Sequence, residues 1–263
     1  MNRDPVVLSA MRAAVRRAAA CVGHVTHVPR VAPLDPTVFN AFARGGVPFV
    51  ILGLVEHWPL AKLTPSSLRE HFGHLQVKAR HGDYVGDAFS KKRTTSEMSL
   101  AQYLDSMPLS TSDLPPYLGN QQLPELNALC KWPPYFKNYD APRTWLGPAN
   151  TVTPLHCDYM DNLFAQIWGR KRFVLYPPHS DIFLSLHEAN PVLYASKFNP
   201  DDPNYEQFPL ARQASPIECV VNPGEMLYLP AGWFHYVRAL EDSLSSNRWS
   251  WETPMVMGPG RPP

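Results

Sequence analysis

Thr153-Pro154-Leu155-His156-Cys157-Asp158 opens the part of the chain whose reading decides the fold. On a strand, His156 and Asp158 project to the same face, because successive side chains alternate. β-type runs follow at 163–167, 172–176, 218–221, 226–229, 236–239 and 244–251, separated by Pro, Gly and Asn turns. Short strands at such regular spacing predict a sandwich or closed barrel. The 29 prolines among 263 residues are spread along the chain, as in a fold with many turns.

The N-terminal half mixes helix and strand signals. Asp35-Pro36 starts a helix that Gly45-Gly46 stops, and Thr64-Pro65 starts a second that ends at Gly73. Phe49-Val50-Ile51-Leu52 reads as a buried strand, 75–80 as another strand and 99–107 as a third helix. No Ser- or Gly-rich linker separates the halves. The expectation is a mainly β fold with flanking helices: an N-terminal helical extension over 1–27, then a single domain over 28–263. Within that domain, 28–142 would support a core at 143–254. The segment 177–216 is an irregular insertion rich in Pro, Asp, Asn and Tyr, of a length that usually carries function.

Composition narrows the function classes. Hydrophobic residues make up 44% and charged residues 18%, so the chain can bury a core. A net charge of +1 argues against a nucleic-acid or membrane footprint. No apolar run reaches the roughly 18 residues of a transmembrane helix. Cys21, Cys130, Cys157 and Cys219 form no CxxC pair and read as reduced thiols of an intracellular protein. The Ala- and Arg-rich stretch 7–20 reads as a surface helix rather than a transit peptide.

Far downstream of His156 and Asp158, Pro230-Ala231-Gly232-Trp233-Phe234-His235 ends a strand with another histidine. Two histidines and one carboxylate make the facial triad of non-haem Fe(II) oxygenases, with three metal positions left open. The pattern is weak alone in a chain with ten histidines. Lys171 adds weight, because it alternates with Phe173 and Leu175 and would point inward with them. A buried lysine needs an anionic partner, which a dicarboxylate would supply. Equally, Lys171 beside Arg170 and Arg172 can be the solvated start of its strand. Asn247 shares a face with Trp249 and Trp251, and is either a pocket residue or a polar member of the ladder.

These residues together resemble the Jumonji-C (JmjC) family of 2-oxoglutarate-dependent oxygenases in the cupin superfamily. The similarity is to its small hydroxylase branch, which includes asparaginyl, arginyl and lysyl protein hydroxylases. It runs from about Val28 to Pro254. It is carried by Val47-Pro48-Phe49-Val50-Ile51-Leu52-Gly53 with His57-Trp58-Pro59, and by Trp145-Leu146-Gly147-Pro148 leading into the His156 motif. Asn162-Leu163-Phe164-Ala165-Gln166-Ile167-Trp168-Gly169-Arg170-Lys171, Asn204-Tyr205-Glu206-Gln207-Phe208-Pro209 and Pro223-Gly224-Glu225-Met226-Leu227-Tyr228-Leu229-Pro230 follow in order.

The resemblance implies a double-stranded β-helix (jelly roll) and a set of roles. His156, Asp158 and His235 would bind Fe(II). Lys171, Thr153 and Tyr117 would hold 2-oxoglutarate, with Asn162 and Asn247 lining the pocket. O2 would be the oxidant, and succinate and CO2 the coproducts of hydroxylating a protein side chain. The HxD motif is that of the hydroxylases, whereas many histone demethylases carry HxE. The family also leaves demethylation or tRNA-base hydroxylation as alternatives. A non-catalytic JmjC-like binding protein and a cupin of another metal class are readings from outside that chemistry. A protein partner, no membrane, a monomer or weak dimer, and a cytoplasmic location (nuclear in a eukaryote) complete the expectation. The insertion and the N-terminal half would grip the substrate. Tyr194, Tyr205 and Phe208 read as core packing there, with substrate contact as the sharper alternative.

Overall fold

The computed structural model describes residues 25–86, 94–110, 112–158, 160–178 and 194–250. The helix expected at 7–20 lies outside them. The chain begins with β1 (Arg30–Val31), α1 (Pro36–Ala43) and β2 (Phe49–Ile51). A 3-10 turn (Pro59–Lys62), α2 (Pro65–Phe72), β3 (Gln76–His81), β4 (Thr94–Ser99) and α3 (Leu100–Ser106) follow. Next come β5 (Leu118–Gln121), α4 (Pro124–Asn127), β6 (Arg143–Gly147), β7 (Val152–Cys157), β8 (Asp161–Trp168) and β9 (Lys171–Tyr176). The last described strands are β10 (Tyr194–Ala195), β11 (Ile217–Val221), β12 (Met226–Leu229), β13 (Phe234–Ala239) and β14 (Ser243–Ser250). Among the described residues, no helix is long and apolar enough to cross a membrane.

The helices start where local chemistry starts them. Asp35 caps α1 by accepting from the Thr37 and Val38 amides, with Pro36 in the first turn. Thr64 and Ser67 form a capping box on α2, as Ser99 and Gln102 do on α3. The strands build two main sheets. Seven run in the order β1-β2-β12-β8-β14-β6-β5, and five in the order β10-β7-β13-β9-β11. Neighbours in space are distant in sequence, which is the jelly-roll arrangement that the family resemblance implies and a form of the sandwich expected from the strand spacing. β3 and β4 form a separate hairpin, tied to the large sheet by an antiparallel bridge between Arg80 and Tyr117.

Alternation along β8 sorts the layers. Leu163, Ala165 and Ile167 face outward into a core shared with Phe39 of α1, Leu68 of α2 and Leu100 of α3. Phe164 faces inward and packs with Phe173, Leu175, Leu227 and Val237 between the sheets. Phe39 is fully buried and stacks on Tyr135 at 4.1 Å, so α1 is pinned at one aromatic point. Truncating such a side chain costs about 3–5 kcal/mol. The outer face of the small sheet is covered by the insertion, through Phe198 and Ala211 against Leu155, Val174, Phe234 and Tyr236. Tyr205 and Phe208 are partly buried against that cluster, in keeping with core packing, and the side chain of Tyr194 lies outside the description. The described part of the insertion therefore covers the face away from the sheet-to-sheet interior.

Candidate metal centre and its pocket

His156 on β7 and His235 on β13 are direct register partners, and their ring centroids lie 4.2 Å apart. His235 does not end the strand before it: it is the second residue of β13, after a turn through Gly232 at φ 86°. Each imidazole Nδ1 donates to the carbonyl two residues earlier, His156 to Pro154 at 2.7 Å and His235 to Trp233 at 3.0 Å. A protonated Nδ1 leaves a lone pair on Nε2. Both Nε2 atoms lie 3.9 Å from an Asp158 oxygen, and one ligand atom from each of the three residues falls within 4.8 Å of the others. Asp158 stands just past the end of β7, where its carbonyl accepts from the Gly232 amide at 2.8 Å. That bond ties the two ends of the triad together. Among the described residues, two imidazoles and a carboxylate converge there as metal-ligating groups, a donor set suited to a divalent first-row metal.

A bulge in the β7–β13 ladder brings Thr153 into the same pocket. His235 pairs with His156 but Val237 pairs with Thr153, so Pro154 and Leu155 together oppose Tyr236. Thr153 and His156 are three apart and would face opposite ways on a regular strand. The extra residue turns them to one side, and proline, which has no N–H to lose, suits the position.

Lys171 settles the choice left open by its sequence. It is 2% exposed, beside Phe173 at 2% and Leu175 at 0%. Gly169, at φ 61°, makes the turn into β9, and any Cβ there would collide with the Asp242 carbonyl. Lys171 Nζ donates to Ser245 Oγ at 2.8 Å and Tyr117 Oη at 3.3 Å. Among the described residues it has no carboxylate partner. Burial pushes its ammonium down to about 7. Burial likewise raises the Tyr117 phenol, partly offset by its hydrogen bond with Thr153. Gly147 leaves room for Tyr117, since a Cβ there would stand 2.9 Å from the ring.

The pocket encloses about 410 Å³ of empty space, a figure that includes its opening to solvent. All eight residues singled out from the sequence line it: Tyr117, Thr153, His156, Asp158, Asn162, Lys171, His235 and Asn247. Asn247 is 1% exposed, so it is a pocket residue; its Nδ2 donates to Asn162 Oδ1 at 2.9 Å. Three polar partners had no role assigned from the sequence. Trp145 Nε1 donates to Asn247 Oδ1 at 2.6 Å, Trp249 Nε1 donates to Asp158 Oδ2 at 2.8 Å, and Ser245 accepts from Lys171. The two-residue alternation that puts Trp249 on the Asn247 face reaches Ser245 when it is carried two residues back. Nothing local pointed to Trp145.

Comparison with known proteins agrees with this geometry. Residues 36–255 match the cupin-like domain family. The chain is 31% identical to lysine-specific demethylase 8 of Xenopus tropicalis, over 77% of this chain and 47% of that protein. It is 29% identical to Jumonji C domain-containing protein 5 of Drosophila melanogaster, over 80% of this chain and 55% of that protein. It is also 29% identical to a bifunctional peptidase and (3S)-lysyl hydroxylase of Homo sapiens, over 77% and 76%. The chain thus spans about half the length of the first two of these relatives. With this family match, these relatives and the His-Asp-His cluster set inside a jelly roll, the chain belongs to the cupin-like family as a JmjC domain.

Proposed function

We propose that this chain is an Fe(II)- and 2-oxoglutarate-dependent dioxygenase that hydroxylates a protein side chain, with succinate and CO2 as coproducts. One observation carries the reading: a buried lysine, hydrogen-bonded only to hydroxyls among the described residues and with no carboxylate partner there, shares a pocket with the triad. A dicarboxylate that reaches from the triad to Lys171 satisfies both ends.

His156, Asp158 and His235 would hold the iron and leave one face of it open. Bound iron, with 2-oxoglutarate and O2, would supply the oxidising power needed at a substrate C–H. The chain's own groups do the rest. Lys171 would hold the distal carboxylate by a charge-assisted bond, and the Tyr117 and Thr153 hydroxyls, which stand beside it, would be further donors. Asn162 and Asn247 fix each other, so neither amide swings into the cosubstrate space. Phe164, Phe173 and Val237 line the wall and exclude water.

The protein substrate draws support from the relative named as a lysyl hydroxylase, of which the chain spans 76%. Lysine demethylation is the second reading, favoured by the name of the Xenopus relative. A cytoplasmic or nuclear location fits either. The test is incubation with Fe(II), 2-oxoglutarate and a lysate protein pool, reading succinate release and peptide mass. We expect succinate and peptides heavier by one oxygen; peptides that lose a methyl group instead would select demethylation. His156→Ala should lose both metal binding and succinate formation. Absence of succinate from the wild type with every pool, together with undiminished metal binding by His156→Ala, would end the proposal.

A further inference from the structure

β14 runs along the pocket from the lysine to the triad. Ser245, Asn247 and Trp249 alternate inward and reach Lys171, Asn162 and Asp158 in turn. The last contact has a chemical consequence. Oδ1 of Asp158 lies 3.9 Å from His156 Nε2 and Oδ2 lies 3.9 Å from His235 Nε2, so both oxygens face the same centre. The histidines do not choose between them, and a metal there could take one oxygen or chelate both. Trp249 does choose, because its Nε1 donates to Oδ2 at 2.8 Å.

The indole is poorly able to follow a carboxylate that turns. Its strand is paired with β8, where Trp249 faces Asn162, and its carbonyl accepts from the Asp140 amide at 2.9 Å. The Arg143 guanidinium stands 5.9 Å from its ring centroid. Chelation through both oxygens would turn Oδ2 away and leave the part-buried indole N–H without this acceptor.

We propose that Trp249 is a positioning residue that keeps Asp158 a one-oxygen ligand through Oδ1, and so keeps free the metal position a second oxygen would fill. The inference rests on the metal reading above and deepens it. That free position matters because a bidentate cosubstrate and O2 together need three.

The test is Co(II) titration of metal-free wild type and Trp249→Phe, followed by d–d absorption. Phenylalanine keeps the ring and removes the donor. We expect the variant to bind Co(II) about 10- to 100-fold more weakly, the usual effect of losing a group that orients a ligand, with altered band positions. Equal affinity with an unchanged spectrum would overturn the role of Trp249 and leave the metal site standing. No Co(II) binding by wild type would overturn both. A crystal structure of Mn(II)-loaded wild type tests the same point without a variant. Asp158 bound through Oδ1 with Oδ2 on Trp249 is expected, and chelation through both oxygens refutes the proposal.

Discussion

On β9, Lys171 points into the pocket and the next residue, Arg172, leaves through the opposite face of the same sheet. Outside, Arg172 donates to Asp201 at 2.6 Å and to both Glu218 oxygens at 2.7 and 2.8 Å. From β13, Tyr236 donates to Asp201 at 2.7 Å, and Arg238 pairs with the same carboxylate. Two guanidiniums meet two carboxylates there, and the network closes on itself. Inside, among the described residues, a cation of the same strand hydrogen-bonds only to hydroxyls and lies over two aromatic rings. A closed polar cluster holds the insertion to the sheet. On the proposed reading, the open one keeps a binding capacity in reserve at some cost to folding.

Lys171→Met should break this contrast most visibly. Loss of the distal anchor should weaken 2-oxoglutarate or N-oxalylglycine binding about 30-fold or more, as expected for one partner of a buried charge pair worth about 2–5 kcal/mol. The melting temperature of the metal-free protein should hold or rise, because an apolar chain replaces a desolvated amine. Calorimetry and a thermal melt check both, and a drop in stability with unchanged affinity would reverse the reading.

Asp201→Asn should do the opposite. Its side chain is 16% exposed and central to the outer cluster, so denaturant unfolding should report a loss of about 2–3 kcal/mol. Cosubstrate affinity of the folded variant should stay at the wild-type level. The Asp201 carboxyl sits below its ordinary value: burial pushes it up, but bonds from Tyr236, Arg172 and Arg238 outweigh that. Its stabilisation is therefore present above the ordinary carboxylate range and is lost as pH falls through the lowered value.

The smallest effect is a slope. In the folded, ligand-free protein Lys171 releases its proton near pH 7, but the unfolded chain keeps it up to 10.5. The unfolded state holds more protons across that window, so this group's contribution to stability rises with pH there. A bound dicarboxylate needs the ammonium form. Binding should take up a proton above pH 7, and affinity should fall by up to about tenfold per pH unit. Titrations in buffers of different ionisation enthalpy read the proton directly, and an affinity flat across the window would contradict the buried-amine account.

The features legible in the sequence are those that local rules control. Asp35-Pro36, Thr64-Pro65 and Ser99 start helices through bonds within their own first turns. The apolar runs at β2, β9 and β12 name their strands, and alternation with Phe173 and Leu175 offered an inward Lys171 as one of two equal readings, the one the fold adopts. The two-residue periodicity that succeeded there would have sent Thr153 and His156 to opposite faces, because a bulge is a property of pairing. Thr153 and Tyr117 were reached through the family resemblance rather than the pattern. Polar edge strands such as β4 and β5, and the partnership of Trp145 with Asn247, are fixed only when distant segments meet.

β14 follows every other described strand in the chain, yet it lies in the middle of the large sheet, between β8 and β6. Until it arrives, that sheet is split, with two strand edges facing a gap of one strand's width. The hydroxyl for Lys171, the amide for Asn162 and the indole for Asp158 all enter with it. During synthesis on the ribosome, the chain can assemble its helices and most of both sheets while the centre lacks its last wall. Closing the large sheet and walling the site are thus one event, and a nascent chain stalled before Ser243 would carry the triad and Lys171 but lack the Asn247 and Trp249 wall of the pocket.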